Sequence, residues 1–306
     1  MICNKEYTLL KIETMLSFFM IFYYNFTKKE NMEYLFKVLN IIAVKYPKLL
    51  KKSLYFIMYT FMRKRKCIAL TNLKLMGYND KKLLKKHFMF LAENLTDFIR
   101  NLTLTKEELS NKIILKNADI VKKALTKGPV VYITAHYGFW EISPLATSLK
   151  LGKMNIIVRD LDNKTLNSLV RKSRERFGVG VFDKRGGLKS IVKRIKQKES
   201  VGILVDQYPG DDKGLVTEFF GRKVRHTEIA AVLSKKFDIP IVVAFTDKKD
   251  DKYIIEFTDI FYTDDIQSSV DRQSKAIEDY IKKDISKWYL VHKRFRPWEK
   301  YENCNS

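Results

Sequence analysis

Cysteine is scarce: three stand in 306 residues, Cys3, Cys67 and Cys304. An odd, widely spaced set argues against a disulfide framework, and a reducing cytoplasmic setting is the expectation. Four histidines, His87, His136, His226 and His292, do not cluster with the cysteines at ligand spacings, which disfavours a metal centre. The 12 glycines and 6 prolines are scattered, leaving no linker, repeat or low-complexity segment and implying one catalytic unit. No helix-turn-helix, zinc-finger or RNP-like block is present, which leaves nucleic acid without a motif. Acidic residues are outnumbered, 35 against 58 Lys+Arg, for a net charge of +23. Such an excess points to an anionic partner, although a lysine-rich coding bias contributes to it. Long apolar runs are missing too. Residues 14–27 carry no charge but span 14 positions, short of the roughly 20 that cross a bilayer as a helix.

What remains is patterned. From Tyr34 to Met62 the chain is apolar with interspersed lysines, broken at Pro47, and it ends in Arg63-Lys64-Arg65-Lys66. Two helices lying in a membrane interface fit this pattern, the basic run meeting anionic headgroups. A helix follows over 80–102, with Leu83, Leu84, Phe88, Leu91, Leu95, Phe98, Ile99 and Leu102 on one stripe. Short β-rich runs at 113–115, 130–134, 154–158, 179–182, 201–205, 240–246 and 253–258 then alternate with helical patterns at 118–126, 141–150, 163–177, 187–198 and 227–237. That alternation predicts one α/β domain with a largely parallel central sheet flanked by helices. A last helix is expected over 270–289, with Trp288 assigned to packing.

The segment Val130-Val-Tyr-Ile-Thr-Ala-His136-Tyr-Gly-Phe-Trp-Glu141 says most about chemistry. An apolar strand runs into a histidine, the side chain suited to moving a proton near neutral pH. A carboxylate follows five residues later. On one continuous helix these positions lie about 140° apart, so Gly138 must turn the chain for them to meet. Glu141 is then expected in the first turn of the next helix, fixing the tautomer of His136. No Gly-x-Ser-x-Gly elbow occurs and no cysteine neighbours a histidine, so a covalent nucleophile is not signalled.

His136-Tyr-Gly-Phe-Trp-Glu141 resembles the His-x4-Asp/Glu signature of the late acyltransferases of lipid A biosynthesis. Further blocks resemble the same family in order: Val158-Arg159 with Asp162-Asn163, Arg174-x-Arg176-x-Gly178, Val205-Asp206-Gln207, Phe219-Phe-Gly-Arg222 with Thr227, and Trp288 with His292-Lys-Arg294. The resemblance spans roughly residues 32–296. It implies three segments: a possible extension or misassigned start at 1–31, a helical membrane-facing portion at 32–110, and the catalytic α/β acyltransferase domain at 111–300. It also implies His136 as general base, Glu141 as its orienting partner, and attack of an acceptor hydroxyl on a thioester carbonyl. Arg159, Arg174, Asp206 and Arg222 are expected to bind substrate, Arg159 and Arg222 through phosphate, Arg222 from a loop turned at Gly221 that also carries Lys223, Arg225 and His226. No metal and no cofactor beyond the thioester, acyl carrier protein or coenzyme A, is implied. Acyl carrier protein, a lipid A precursor or other anionic glycolipid, and an anionic membrane surface are the implied partners. The implied location is the cytoplasmic face of a bacterial inner membrane. Two departures, Phe139 where Asn is usual and Glu228 in place of a glycine after Thr227, bear on the acyl pocket.

Overall fold

Apolar runs of period two in this chain become strands, and runs of period 3.6 become the helices that cover them. The computed structural model describes residues 29–161, 163–183, 186–301 and 304. The apolar stretch 14–27, most of the extension 1–31, and Asp162 lie outside the described residues. Helices α1 (Lys29–Lys45), α2 (Pro47–Phe61), α3 (Arg63–Leu75) and α4 (Lys81–Asn101) come first, then α5 (Lys106–Lys112). The chain continues through β1 (Ile113–Lys116), α6 (Ala118–Leu125), β2 (Val131–Thr134), α7 (Ser143–Leu151), β3 (Met154–Val158), α8 (Lys164–Glu175) and β4 (Gly180–Asp183). After these follow α9 (Gly187–Lys196), β5 (Ser200–Leu204), β6 (Leu215–Phe219), β7 (Arg222–His226), α10 (Ile229–Phe237), β8 (Ile241–Lys249), β9 (Lys252–Phe261) and α11 (Ile266–Ile281).

The main sheet has the order β1-β9-β8-β2-β5-β3-β4. Its strands β8, β2, β5, β3 and β4 are mutually parallel. β9 returns antiparallel to β8, and β1 lies parallel to β9. The expected α/β architecture with a largely parallel sheet is therefore present, and β2 holds its centre.

Local chemistry sets the helix ends. Asp80 caps α4 by accepting from the Lys82 amide at 2.7 Å, and Thr105 with Glu108 forms a capping box on α5. The stripe on α4 is buried through Leu84, Phe88, Leu91, Leu95 and Ile99. α1 and α2 meet at Tyr46, where Pro47 occupies the first turn of α2. Their inner faces bury Phe36, Ala43, Leu50, Leu54 and Met58. Their outer faces leave Tyr34, Ile41, Val44, Tyr46, Leu49, Phe56 and Phe61 more than half exposed. No described helix is long and apolar enough to cross a membrane.

Three sequence expectations change. Residues 215–226 form a hairpin, β6 against β7, whose two turn residues Phe220 and Gly221 both have positive φ, 53° and 69°. A two-residue turn of that hand matches the twist of the paired strands. The last helix ends at Ile281 rather than 289. Asp284 then accepts from the Ser286 amide at 3.2 Å and starts a separate turn, Ile285–Lys287, so Trp288 leaves helical geometry. Finally, Cys67 and Cys304 form a disulfide across a sequence separation of 237. Spacing argued against a disulfide framework; the fold brings the chain end back onto α3, where the two sulfurs meet.

Candidate active site

The centre of the sheet assembles the site. β2 and β5 pair in parallel with Thr134 opposite Leu204, and the Val205 amide continues the ladder to the Thr134 carbonyl at 3.1 Å. Two residues further on, the same register sets His136 beside Asp206, at the strand ends where α/β sheets bind ligands. The Asp206 carboxylate accepts the His136 Nδ1–H at 2.8 Å through Oδ1. Its Oδ2 accepts the His136 backbone N–H at 3.0 Å and the Trp288 indole N–H at 2.8 Å.

Asp206 is almost completely buried. Burial alone would raise its pKa, but the charge and hydrogen bond of His136, with the indole and amide donors, hold it well below the usual carboxylate range. An ionised carboxylate only accepts, so the Nδ1 position of His136 must carry hydrogen. Nε2 then presents a lone pair, met by the Gln207 side-chain amide at 3.3 Å. The rings of Trp140 and Tyr289 flank the imidazole at 5.5 and 5.9 Å between centroids.

The turn after His136 is held from several sides. Gly138 has φ +61°; its N–H donates to the Lys287 carbonyl at 3.1 Å and its carbonyl accepts from Asn94 at 2.6 Å. A side chain here would collide with the Thr246 carbonyl oxygen, so the close approach of β8 demands glycine. The turn delivers Glu141 into a single 3-10 turn, Trp140–Ile142, ahead of α7.

Glu141 is not the partner of the His136 ring. Its carboxylate accepts two parallel hydrogen bonds from Arg174, at 3.0 and 2.7 Å. Burial opposes the Glu141 charge, yet the Arg174 cation and its hydrogen bonds outweigh it and lower the carboxyl below its ordinary value. The expected His–Glu contact is thus replaced by two pairs: Asp206 with His136, and Arg174 with Glu141. Arg174 donates to that carboxylate through Nε and Nη2 together, which makes it the counter-ion of Glu141.

The other expected residues scatter. Arg159 follows β3 at the same sheet edge, half-buried, and among the described residues no hydrogen bond or ion pair engages it. Arg222 is not joined to the His136 group: its Nε donates to the Leu75 carbonyl at 2.6 Å and its Nη1 pairs with Glu299, tying β7 to α3 and the chain end. His226, expected in a phosphate-binding loop with Arg225, is buried in the hairpin. Burial, then the neighbouring Arg294 charge, lower it to about 3. Trp288, read as packing from the sequence, does pack on Phe219 but also anchors Asp206. Gln207 stood in the Val205-Asp206-Gln207 block without an assigned part, and only the strand register reveals its place.

An apolar cavity of about 80 Å³ lies on the α7 face of the sheet, lined by Trp140, Ile156, Val158, Ile203, Leu204 and Ala244 among others. Glu141 and Arg174 line it as well, together with Tyr132 and Thr134, which precede His136 on β2. A half-buried histidine held by a buried carboxylate at the strand ends of an α/β sheet, with the residues before and after it lining an apolar cavity, is an arrangement that can accept a proton.

Residues 34–297 match the family described as bacterial lipid A biosynthesis acyltransferase. The chain belongs to that family. No curated protein matches it. Among solved structures it is similar to the 1-acyl-sn-glycerophosphate (LPA) acyltransferase PlsC of Thermotoga maritima, at 9% identity, covering 75% of this chain and 96% of that one with a TM-score of 0.33.

Proposed function

We propose that this protein transfers a fatty acyl chain from acyl carrier protein to a hydroxyl of a lipid A precursor. The observation that supports this most is the His136–Asp206 pair, its Nε2 lone pair turned away from the carboxylate and its neighbours lining an apolar cavity, in a chain of the lipid A acyltransferase family. The acceptor hydroxyl gives its proton to His136 Nε2 as its oxygen bonds to the thioester carbonyl carbon. Asp206 stabilises the resulting imidazolium. Collapse of the tetrahedral intermediate breaks the carbon–sulfur bond, and the imidazolium returns the proton to the departing thiolate. The products are an ester and the free carrier thiol. Glu141 and Arg174 act as a positioning pair that fixes the turn carrying Trp140, and Arg159 serves a substrate phosphate.

The outer face of α1 and α2 supports an approach to lipid. Its exposed aromatic and aliphatic side chains are interspersed with exposed Lys37, Lys45, Lys48 and Lys52, and exposed Arg63 and Lys64 open α3. Apolar groups beside cations suit an anionic bilayer surface, at the inner face of the bacterial inner membrane under this reading.

Mass spectrometry of lipid A from cells with the gene, without it, and with His136→Ala tests the reaction. One acyl chain missing in the latter two is the expected result. Unchanged lipid A with another glycolipid short of an acyl group would move the reading to that acceptor, and no lipid change at all would overturn acyl transfer.

A further inference from the structure

Attack on a thioester puts a negative charge on the former carbonyl oxygen, and catalysis of that step calls for a donor aimed at it. Few donors near His136 are open. The turn that follows it directs its backbone N–H groups inward: Tyr137 donates to the Ala135 carbonyl at 2.7 Å, Gly138 to Lys287 at 3.1 Å and Phe139 to Thr246 at 2.9 Å. The Trp288 indole is held by Asp206, and Arg174 by Glu141. Arg159 starts from β3, which β5 separates from β2, roughly 10 Å away across the sheet at the usual strand spacing. Gln207 is different. Its side-chain amide lies against His136 Nε2 at 3.3 Å, makes no other hydrogen bond among the described residues, and stays partly open to solvent.

We propose that Gln207 is a catalytic residue, the donor that stabilises the oxyanion formed on the thioester carbonyl during acyl transfer. The inference rests on the acyltransferase reading and adds a catalytic group to it. With hydrogen on Nδ1, the imidazole offers one lone pair at Nε2. A Gln207 N–H occupies that lone pair at rest, and the acceptor hydroxyl must take it before its proton can move. The two donors exclude each other, so arrival of the hydroxyl frees the amide. As the hydroxyl oxygen bonds to the carbonyl carbon, the carbonyl π pair moves onto its own oxygen and the proton passes to Nε2. A charged acceptor therefore appears beside Nε2 at the step that leaves the Gln207 N–H without one. Departure of the thiolate returns the pair to the carbonyl, and the hydrogen bond weakens with it. A donor that holds the intermediate more tightly than the substrate raises kcat and leaves KM nearly alone.

The test measures kcat and KM across pH for the purified full-length protein and for Gln207→Met, which keeps the side-chain length without its donors. A dodecanoyl thioester of acyl carrier protein and precursor-bearing lipid serve as substrates. Loss of one oxyanion donor is expected to lower kcat about 10²–10³-fold while KM stays within about threefold. The pH profile of kcat, which reports the substrate-bound enzyme, is expected to keep its place, whereas a residue that acted by tuning the imidazole would move it. A kcat within about tenfold of the unaltered protein, a loss confined to KM, or a displaced profile overturns the inference while leaving acyl transfer standing. Consumption of no thioester by the unaltered protein overturns the acyltransferase reading and this inference with it.

Discussion

Replacing Asp206 by Asn changes one atom and should stop most of the chemistry. Three donors converge on the carboxylate, and Oδ2 holds two of them, the Trp288 indole and the His136 amide. The amide oxygen of Asn therefore takes the Oδ2 position, which keeps two bonds and points the new NH₂ at His136 Nδ1. Two donors cannot face each other there, so the imidazole shifts its hydrogen to Nε2. That nitrogen then has no lone pair for the acceptor hydroxyl and opposes the Gln207 amide. The negative charge that stabilises the imidazolium is lost as well. An equivalent Asp-to-Asn change in the serine-protease triad lowers turnover about 10⁴-fold by the same tautomer switch. A loss of about 10³ to 10⁴ in kcat is expected here, about 4–5 kcal/mol of barrier, with KM nearly unchanged. Initial rates of acyl transfer by purified Asp206→Asn and Glu141→Gln proteins decide it. A kcat within tenfold of the unaltered enzyme, or a larger loss in Glu141→Gln than in Asp206→Asn, would refute the assignment of Asp206 as the histidine's partner.

Other consequences can be measured independently. Glu141→Leu leaves the buried Arg174 cation without its carboxylate and should cost about 3–5 kcal/mol in urea unfolding, most of it recovered in Glu141→Leu/Arg174→Met; equal stability of single and double variants would show the pair is uncoupled. His87 is fully buried, and burial holds it down from 6.5 to about 4 against the opposing hydrogen bond to Ser286. The unfolded chain takes up the proton first, so this contribution is complete above pH 6.5 and is lost as pH falls toward 4, about 3 kcal/mol in all; His87→Gln should flatten the stability profile in that window, and an unchanged slope would exclude His87 as its source. Phe56→Ser with Phe61→Ser, both at exposed positions of α2, should weaken binding to anionic vesicles by about tenfold or more, whereas retained affinity would remove this face from the membrane account.

Much of the architecture was legible because burial on both sides of a parallel sheet writes itself as continuous apolar runs, as in Val130–Thr134 and Val201–Val205. The strand-to-histidine junction was legible for the same reason, and the need for a turn at Gly138 followed from helix geometry alone. The pairing was not. His136 and Glu141 are five apart and invite each other, whereas the true partner Asp206 is 70 residues away and is brought in by strand register. The β6–β7 hairpin was missed although Thr217, Phe219, Val224 and His226 alternate inward, because Phe220-Gly221 is an atypical pair for a turn with two positive φ values and the basic residues around it suggested an anion loop. The Cys67–Cys304 bond hides in the same way, since no local pattern reports that the chain end returns to α3.

The position of Trp288 explains why the site needs the carboxyl-terminal segment at all. A carboxylate buried beside a histidine in a sheet core lacks water to solvate its second oxygen, and an unsolvated charge there would take up a proton and release the imidazole. Two donors replace that water, one from the His136 backbone and one from Trp288. The indole reaches Asp206 only because α11 stops at Ile281 and a separate turn redirects the chain. The following residue then locks the arrangement, the Tyr289 amide donating to the His136 carbonyl at 2.9 Å while the Lys287 carbonyl accepts from Gly138. Three stretches that are remote in sequence, around 136, 206 and 288, thereby fix one imidazole in one tautomer. A helix continued to 289 would leave Asp206 short of a donor, so the break after Ile281 belongs to the chemistry of the site as much as to the packing of the fold.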